Sequence, residues 1–298
     1  MLKLRLGNDS IPFDLETTLK CGQLFRWKKV NDWWFGVTDS KVLKARQLSG
    51  VLQFEGVNNE FAKNYFRLDD NLPRITSEIS RDSLMKKATQ AFPGLRIVRQ
   101  SPWECLISFI CATYKNIPAI REMIFELSRK FGAELIFKGD KFYAFPEPKA
   151  LAAATVDELR ECKLGFRAKR VLKTAKLVYR NQVDLNSLKN TDYAQAKSTL
   201  MDLPGVGHKV ADCVLLFSLG KLEAFPVDVW MTRAICKYYS NHFSKMFISR
   251  LSQGRSISAK EYDRISSFAQ SYFGRYAGYA QEYLFHFIRT RESLQGLT

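Results

Sequence analysis

No two cysteines of this chain form a CxxC pair. The six, at positions 21, 105, 111, 162, 213 and 236, are scattered, which argues against zinc ribbons and iron–sulfur clusters. Cys105 and Cys111 flank an apolar run (Leu106-Ile107-Ser108-Phe109-Ile110), as suits reduced thiols in an intracellular compartment, cytoplasm or nucleoid in a prokaryote. No apolar stretch is long enough to span a membrane. The opening Met1-Leu2-Lys3-Leu4-Arg5-Leu6 alternates in character and has no signal-peptide core. Repeats of 20–50 residues and long blocks of one charge are also missing. Acidic residues are in deficit. There are 30 Asp and Glu against 46 Lys and Arg, a net charge of +16 over 298 residues. With no basic tail to carry it, that excess implies a structured basic face and a polyanionic partner, nucleic acid first.

What is present divides the chain in two. Up to about residue 56, short aromatic and apolar runs (23–30, 33–37, 42–48, 51–54) alternate with turn formers, Asn31-Asp32, Thr38-Asp39-Ser40 and Ser49-Gly50. Such spacing predicts antiparallel hairpins. From about residue 58 the pattern is helical and is expected to remain so. Ile120, Ile124, Leu127 and Phe131 form one stripe between Pro118 and Gly132. Thr155 and Glu158 form a capping-box pattern, opening a helix expected to stop at Gly165. Ala168, Val171, Leu172 and Ala175 mark a further helix, and Ile265, Phe268, Ala269 and Tyr272 another that Gly274 ends. The expected fold is α+β and mainly α: a β-rich lobe over 1–95, then a helical region over 96–298.

The most informative segment is Leu203-Pro204-Gly205-Val206-Gly207-His208-Lys209. A helix over about 192–202 is broken there and a second begins, its stripe being Val210, Cys213, Val214 and Phe217. The two glycines permit positive φ and close backbone approach. The amides opening the second helix make an anion site for a DNA phosphate. A lysine in a helix's first turn is a candidate amine nucleophile, since Schiff-base chemistry needs the uncharged form and the helix dipole disfavours the ammonium. A solvated phosphate-pairing lysine is the plainer alternative. Nineteen residues on, in Phe225-Pro226-Val227-Asp228-Val229-Trp230, an aspartate stands where the next helix (about 229–240) starts. By itself Asp228 reads as an N-cap. One helix and one loop separate it from Lys209, so both can border one cleft.

At this pair the sequence resembles the helix-hairpin-helix DNA glycosylases, and within them the 8-oxoguanine DNA glycosylase/AP lyases. Further matches are Gly22-Gln23-Leu24-Phe25-Arg26-Trp27, the stretch 99–111 from Arg99-Gln100-Ser101-Pro102-Trp103 to Cys111, Leu164-Gly165-Phe166-Arg167-Ala168-Lys169, and Tyr276-Ala277-Gly278-Tyr279-Ala280-Gln281 with Phe285. The resemblance implies a monomer, without metal or cofactor, that acts on double-stranded DNA containing 8-oxoguanine. It implies Lys209 as the nucleophile that releases the base and cleaves the strand by β-elimination. It implies Asp228 as the carboxylate that stabilises the oxocarbenium charge. Gly22 would offer its carbonyl to the N–H that guanine gains on oxidation, Gln281 would read the Watson–Crick edge, and Cys213 and Phe285 would sandwich the extruded base. Gly205, Gly207, His208 and Arg167 would contact DNA.

The chain departs from the family at three places. Of the Asn triplet that eukaryotic members place in the gap left by the flipped base, only Asn116 persists, with Tyr114 available as a wedge. Ala119 replaces an arginine that reads the opposite cytosine, which predicts relaxed opposite-base discrimination. Trp230 replaces a histidine near the DNA backbone. Two other readings stand beside this one: a glycosylase of the same class for another damaged base, and a non-catalytic DNA-binding module.

Overall fold

A computed structural model of the chain describes residues 1–6 and 11–294. Among these, strand β1 (Leu2–Arg5) and helix α1 (Leu15–Lys20) precede strands β2 (Trp27–Val30), β3 (Trp33–Thr38), β4 (Lys41–Leu48) and β5 (Val51–Glu55). The five strands form one antiparallel sheet in the order β1-β5-β4-β3-β2. Its tight turns fall where the turn formers stand: Asn31, Asp39, Ser40, Ser49 and Gly50 all take positive φ. Such turns match the twist of the strands they join. One face buries Trp27, Trp34, Leu43, Leu52 and Phe54 against Tyr65 and Phe66.

Helices α2 (Asn59–Tyr65), α3 (Leu72–Ile79), α4 (Ser83–Ala91), α5 (Pro102–Cys111) and α6 (Ile117–Phe131) follow. Strands β6 (Glu134–Phe137) and β7 (Asp140–Tyr143) come next, then α7 (Pro148–Ala153), α8 (Val156–Glu161), α9 (Arg167–Tyr179), α10 (Tyr193–Met201), α11 (His208–Ser218), α12 (Val229–Tyr238), α13 (Lys245–Leu251), α14 (Ala259–Phe273) and α15 (Ala277–Leu294). The fold is thus α+β and mainly helical. A second buried cluster, centred on α5, α11 and α15, runs through the helical body.

The structure corrects the sequence reading in four places. Residues 15–20 are helical, capped by Asp14, whose Oδ1 accepts from Thr17 N at 2.6 Å. Residues 23–26 lie outside any strand, and β2 starts at Trp27. The body is not helical throughout, because β6 and β7 form a hairpin whose turn residues Lys138 and Gly139 take positive φ. The Thr155 capping box is present, yet α8 ends at Glu161, since Lys163 turns into the left-handed region before Gly165 is reached.

The two halves are joined by Gln23. Its Oε1 accepts from Val98 N at 2.7 Å, its Nε2 donates to Arg96 O at 2.7 Å, and Gln100 Nε2 donates to its carbonyl at 2.8 Å. A side chain so fully bonded while buried fixes the backbone on either side of it. Gly22 therefore has a defined position beside the helical body.

Candidate active site

Helix α10 leads into the hairpin and α11 leaves it. The two hairpin glycines have different reasons to be there. Gly205 takes φ +90°, and a Cβ there would meet Arg170 Cδ at 2.8 Å. Gly207 is extended (φ −104°, ψ −177°) and has open space around it, so only Gly205 needs the conformational freedom expected of both. As N-cap, Gly207 supplies no side-chain acceptor. The first amides of α11 therefore keep their hydrogen-bonding capacity for an anion. His208 directs Nδ1 to within 2.9 Å of Asp263 Oδ1.

Lys209 lies in the first turn of α11, half-buried, with its Nζ 5.4 Å from the ring centre of Phe109 on α5. Phe109 stacks on Phe217 and meets Phe25 edge-on, so the amine stands against an apolar wall. Asp228 caps α12, and its Oδ1 accepts from Met231 N at 2.8 Å. The capping role is therefore real, and it fixes the carboxylate. Burial pushes this carboxyl above its ordinary value, opposed by the Met231 amide and by the charge of Lys209. Cys213, one turn on from Lys209, is 3% exposed. Burial raises its thiol to about 12, and the charges of Lys209 and Asp228 both act on it. These three side chains share one electrostatic neighbourhood.

Gly22 lies against Phe285, which stands one turn beyond Gln281 on α15. Gly22 takes φ +118°, and a Cβ on it would stand 2.9 Å from Phe285 Cε1 and 2.9 Å from Arg289 Nη1. Gln281 is 5% exposed, and its Oε1 is buried without a protein partner. An acceptor kept dry and unpaired is costly, and such groups concentrate where a ligand completes them. Arg289 lies over the ring of Phe285 and donates through Nη2 to Lys20 O at 2.9 Å. Glu282, which the sequence reading passed over, is buried beside Cys21. Burial lifts its carboxyl to about 7, with the Asp228 charge adding to the rise and Cys21 and Arg289 opposing it. The sequence signal for Glu282 was faint: an acidic residue within an otherwise apolar turn of α15.

Of the remaining candidates Tyr114 and Asn116 are exposed, Trp230 is half-buried and Arg167 is buried. Tyr114 is 83% exposed with φ +54° in the loop between α5 and α6. Asn116 caps α6 through its Oδ1, which accepts from Ala119 N at 3.0 Å. Arg167 is turned inward, its Nε donating to Thr113 O at 3.0 Å, so it braces the Tyr114 loop from behind. Trp230, in the first turn of α12, lies under the Arg233 guanidinium. A cavity of about 660 Å³ elsewhere, bordered by Arg67, Arg99, Trp103 and Gly220, includes none of these residues. Among the described residues no group of three or more His, Cys, Asp or Glu could hold a metal ion, and no helix is long and apolar enough to cross a membrane.

A helix-hairpin-helix whose second helix carries a lysine, followed by an aspartate capping the next helix, defines a base-excision DNA repair protein of the helix-hairpin-helix class. Residues 107–251 match the model of the HhH-GPD superfamily of base excision DNA repair proteins, and residues 5–106 match the 8-oxoguanine DNA glycosylase N-terminal domain. The N-glycosylase/DNA lyase of Saccharomyces cerevisiae is 32% identical over 91% of this chain and 82% of its own length. The chain belongs to this N-glycosylase/DNA lyase family. The Clostridium acetobutylicum 8-oxoguanine glycosylase/lyase, solved with double-stranded DNA bearing cytosine opposite the lesion, superposes with a TM-score of 0.85 at 33% identity, covering 95% of this chain and 93% of that one. A 3-methyladenine DNA glycosylase from Archaeoglobus fulgidus, at 23% identity and a TM-score of 0.75, shares the fold.

Proposed function

We propose that this protein removes 8-oxoguanine from duplex DNA and then cleaves the abasic strand, with Lys209 as nucleophile and Asp228 as its electrostatic partner. The observation that supports the reading is a lysine in the first turn of α11, its Nζ 5.4 Å from the Phe109 ring, followed by an aspartate whose carboxylate the Met231 amide fixes at the start of α12, in a chain 32% identical to an N-glycosylase/DNA lyase. The N-terminal lobe (1–95) contributes recognition through Gly22, and the helical region (96–298) contributes the chemistry.

In this reading the lesion leaves the stack and enters between Cys213 and Phe285. Cys213 is held as an uncharged thiol, a soft face suited to a flat ring. The Gly22 carbonyl accepts the N7–H of 8-oxoguanine. Undamaged guanine has no hydrogen there, and a carbonyl left unpaired in a dry pocket costs about 1–3 kcal/mol. The Lys209 lone pair forms a bond to C1′ as the glycosidic bond breaks, and the base leaves with that electron pair and gains a proton. The new C1′ ammonium loses a proton, the C1′–O4′ bond breaks with O4′ taking the electron pair and a proton, and a protonated imine is left at C1′. Loss of a C2′ proton expels the 3′ phosphate. Asp228 faces positive charge at both the sugar and the imine, and in a water-poor site that is worth far more than in solvent.

The basic surface, the hairpin amides of Gly205, Gly207 and His208, and Trp230 hold the phosphates, while Tyr114 and Asn116 fill the vacated stack. The protein acts as a monomer. The test is excision from matched duplexes carrying 8-oxoguanine or guanine at one site. Release of the oxidised base alone is expected, and equal release of both would overturn the substrate assignment.

A further inference from the structure

Asp212 lies on α11, three residues beyond Lys209, and is wholly buried. It is the centre of a closed hydrogen-bond network. Its Oδ1 accepts from Tyr193 OH at 2.7 Å, and its Oδ2 accepts from Lys197 Nζ at 3.0 Å and from Tyr262 OH at 2.6 Å. Tyr193 and Lys197 stand on α10, the first helix of the hairpin. Tyr262 comes from α14, outside it. Burial drives the Asp212 carboxyl up, and the ammonium and two hydroxyls oppose that rise.

The Tyr262 hydroxyl also works in a second direction: it accepts from the backbone N–H of Val227 at 3.1 Å. Val227 is buried and immediately precedes Asp228. One oxygen thus links the helix that carries Lys209 to the peptide before the Asp228 cap. A buried ion pair with its donors contributes little net stability compared with well-packed apolar groups, whereas two-way bridges of this kind fix geometry.

We propose that Tyr262 is a positioning residue for the reaction, setting the separation of Lys209 and Asp228 through Asp212 on one side and the Val227 amide on the other. The inference rests on that pair being the reacting one. Tyr193 and Lys197 hold the same carboxylate and also meet α14, Tyr193 at Ser266 and Gln270 and Lys197 over the Tyr262 ring, but the Val227 amide is bonded by Tyr262, so Tyr193 supplies an internal control.

The experiment compares Tyr262→Phe, Tyr193→Phe and Lys209→Gln in the full chain, below the melting temperature of each. Single-turnover excision of 8-oxoguanine, affinity for the lesion duplex and borohydride trapping are read for all three. Because misplacing reacting groups by about 1 Å costs on the order of 100-fold, Tyr262→Phe is expected to slow excision about 10- to 100-fold while affinity changes less than about threefold. Tyr193→Phe, which removes a donor from the same carboxylate, should stay within about threefold in both. The proposal is overturned if Tyr262→Phe leaves the rate intact, if both phenylalanine variants slow it equally, or if affinity falls in step with rate. If Tyr262→Phe does not fold, Asp212→Asn is read by the same criteria. Trapping that survives in Lys209→Gln would instead remove the reading on which the inference rests.

Discussion

A methyl group built on Gly22 would stand 2.9 Å from Cε1 of Phe285. The β-rich lobe and the C-terminal helix therefore meet with no room for a side chain, at a backbone angle (φ +118°) that L residues rarely adopt. Gly22→Ala should strain the loop by about 1–3 kcal/mol and move the carbonyl that the lesion is to reach. Excision of 8-oxoguanine is expected to fall about 100-fold, the equivalent of about 3 kcal/mol. Trapping on a preformed abasic site should persist, because that substrate has no base to seat. Equal loss on both substrates would show that Gly22 serves folding alone.

Asp228 must be ionised to face a cation, and burial raises its carboxyl above the ordinary 3.8. Activity should therefore be lost on acidification at a pH above 3.8, as the carboxylate takes up its proton. Asp228→Asn should slow excision about 100- to 1000-fold with lesion binding retained, since an asparagine can still cap α12. The pH–rate profile and a binding isotherm check this together. Equal losses in rate and affinity would make Asp228 a structural cap only.

Burial pushes the Glu282 carboxyl up from 4.5 to about 7. A carboxyl raised on folding gives its full stabilisation below the unfolded value, and that stabilisation is lost as pH rises through the folded one. The wild-type protein should accordingly lose stability between about pH 4.5 and 7 relative to Glu282→Gln. At pH 8 the variant should be more stable by an upper bound of about 3 kcal/mol, and the difference should vanish near pH 4. Thermal melts across this range supply the test. A gap that widens on acidification would contradict the buried-carboxyl assignment.

Ala119 stands near the start of α6, where the family's cytosine-reading arginine would be, and Arg167 is committed to the Thr113 carbonyl. One lost arginine contact relaxes discrimination by about 1–3 kcal/mol. Excision opposite cytosine, thymine, adenine and guanine should then span less than about 100-fold. A cytosine preference beyond that span would show that another group reads the opposite base.

Much of this was legible in the sequence because it rests on local rules. Turn chemistry at Asn31, Asp39 and Ser49, the Thr155 capping box and the Pro204-Gly205 break each act within a few residues. The placement of Lys209 in the first turn of α11 and of Asp228 at the cap of α12 was also within reach, since both follow from helix-start signals. The β6–β7 hairpin escaped because four-residue strands carry too few alternations to stand out from short helices. Helix α1 was overlooked inside a β-rich stretch, although Asp14 marks its cap. Gln23, Asp212, Glu282 and Tyr262 were not legible as a group. Each is an ordinary polar residue until distant elements bury it, and only the folded chain shows which donors and acceptors it meets.

The whole mechanism turns on one amine bonding to the sugar. Borohydride reduction of the reaction on an 8-oxoguanine duplex, followed by protease digestion and mass spectrometry, tests it directly. The wild-type protein should yield a single DNA-modified peptide bearing the adduct on Lys209, and Lys209→Gln should yield none while still binding the lesion. An adduct that maps to another residue, or that forms undiminished in the variant, would contradict the account.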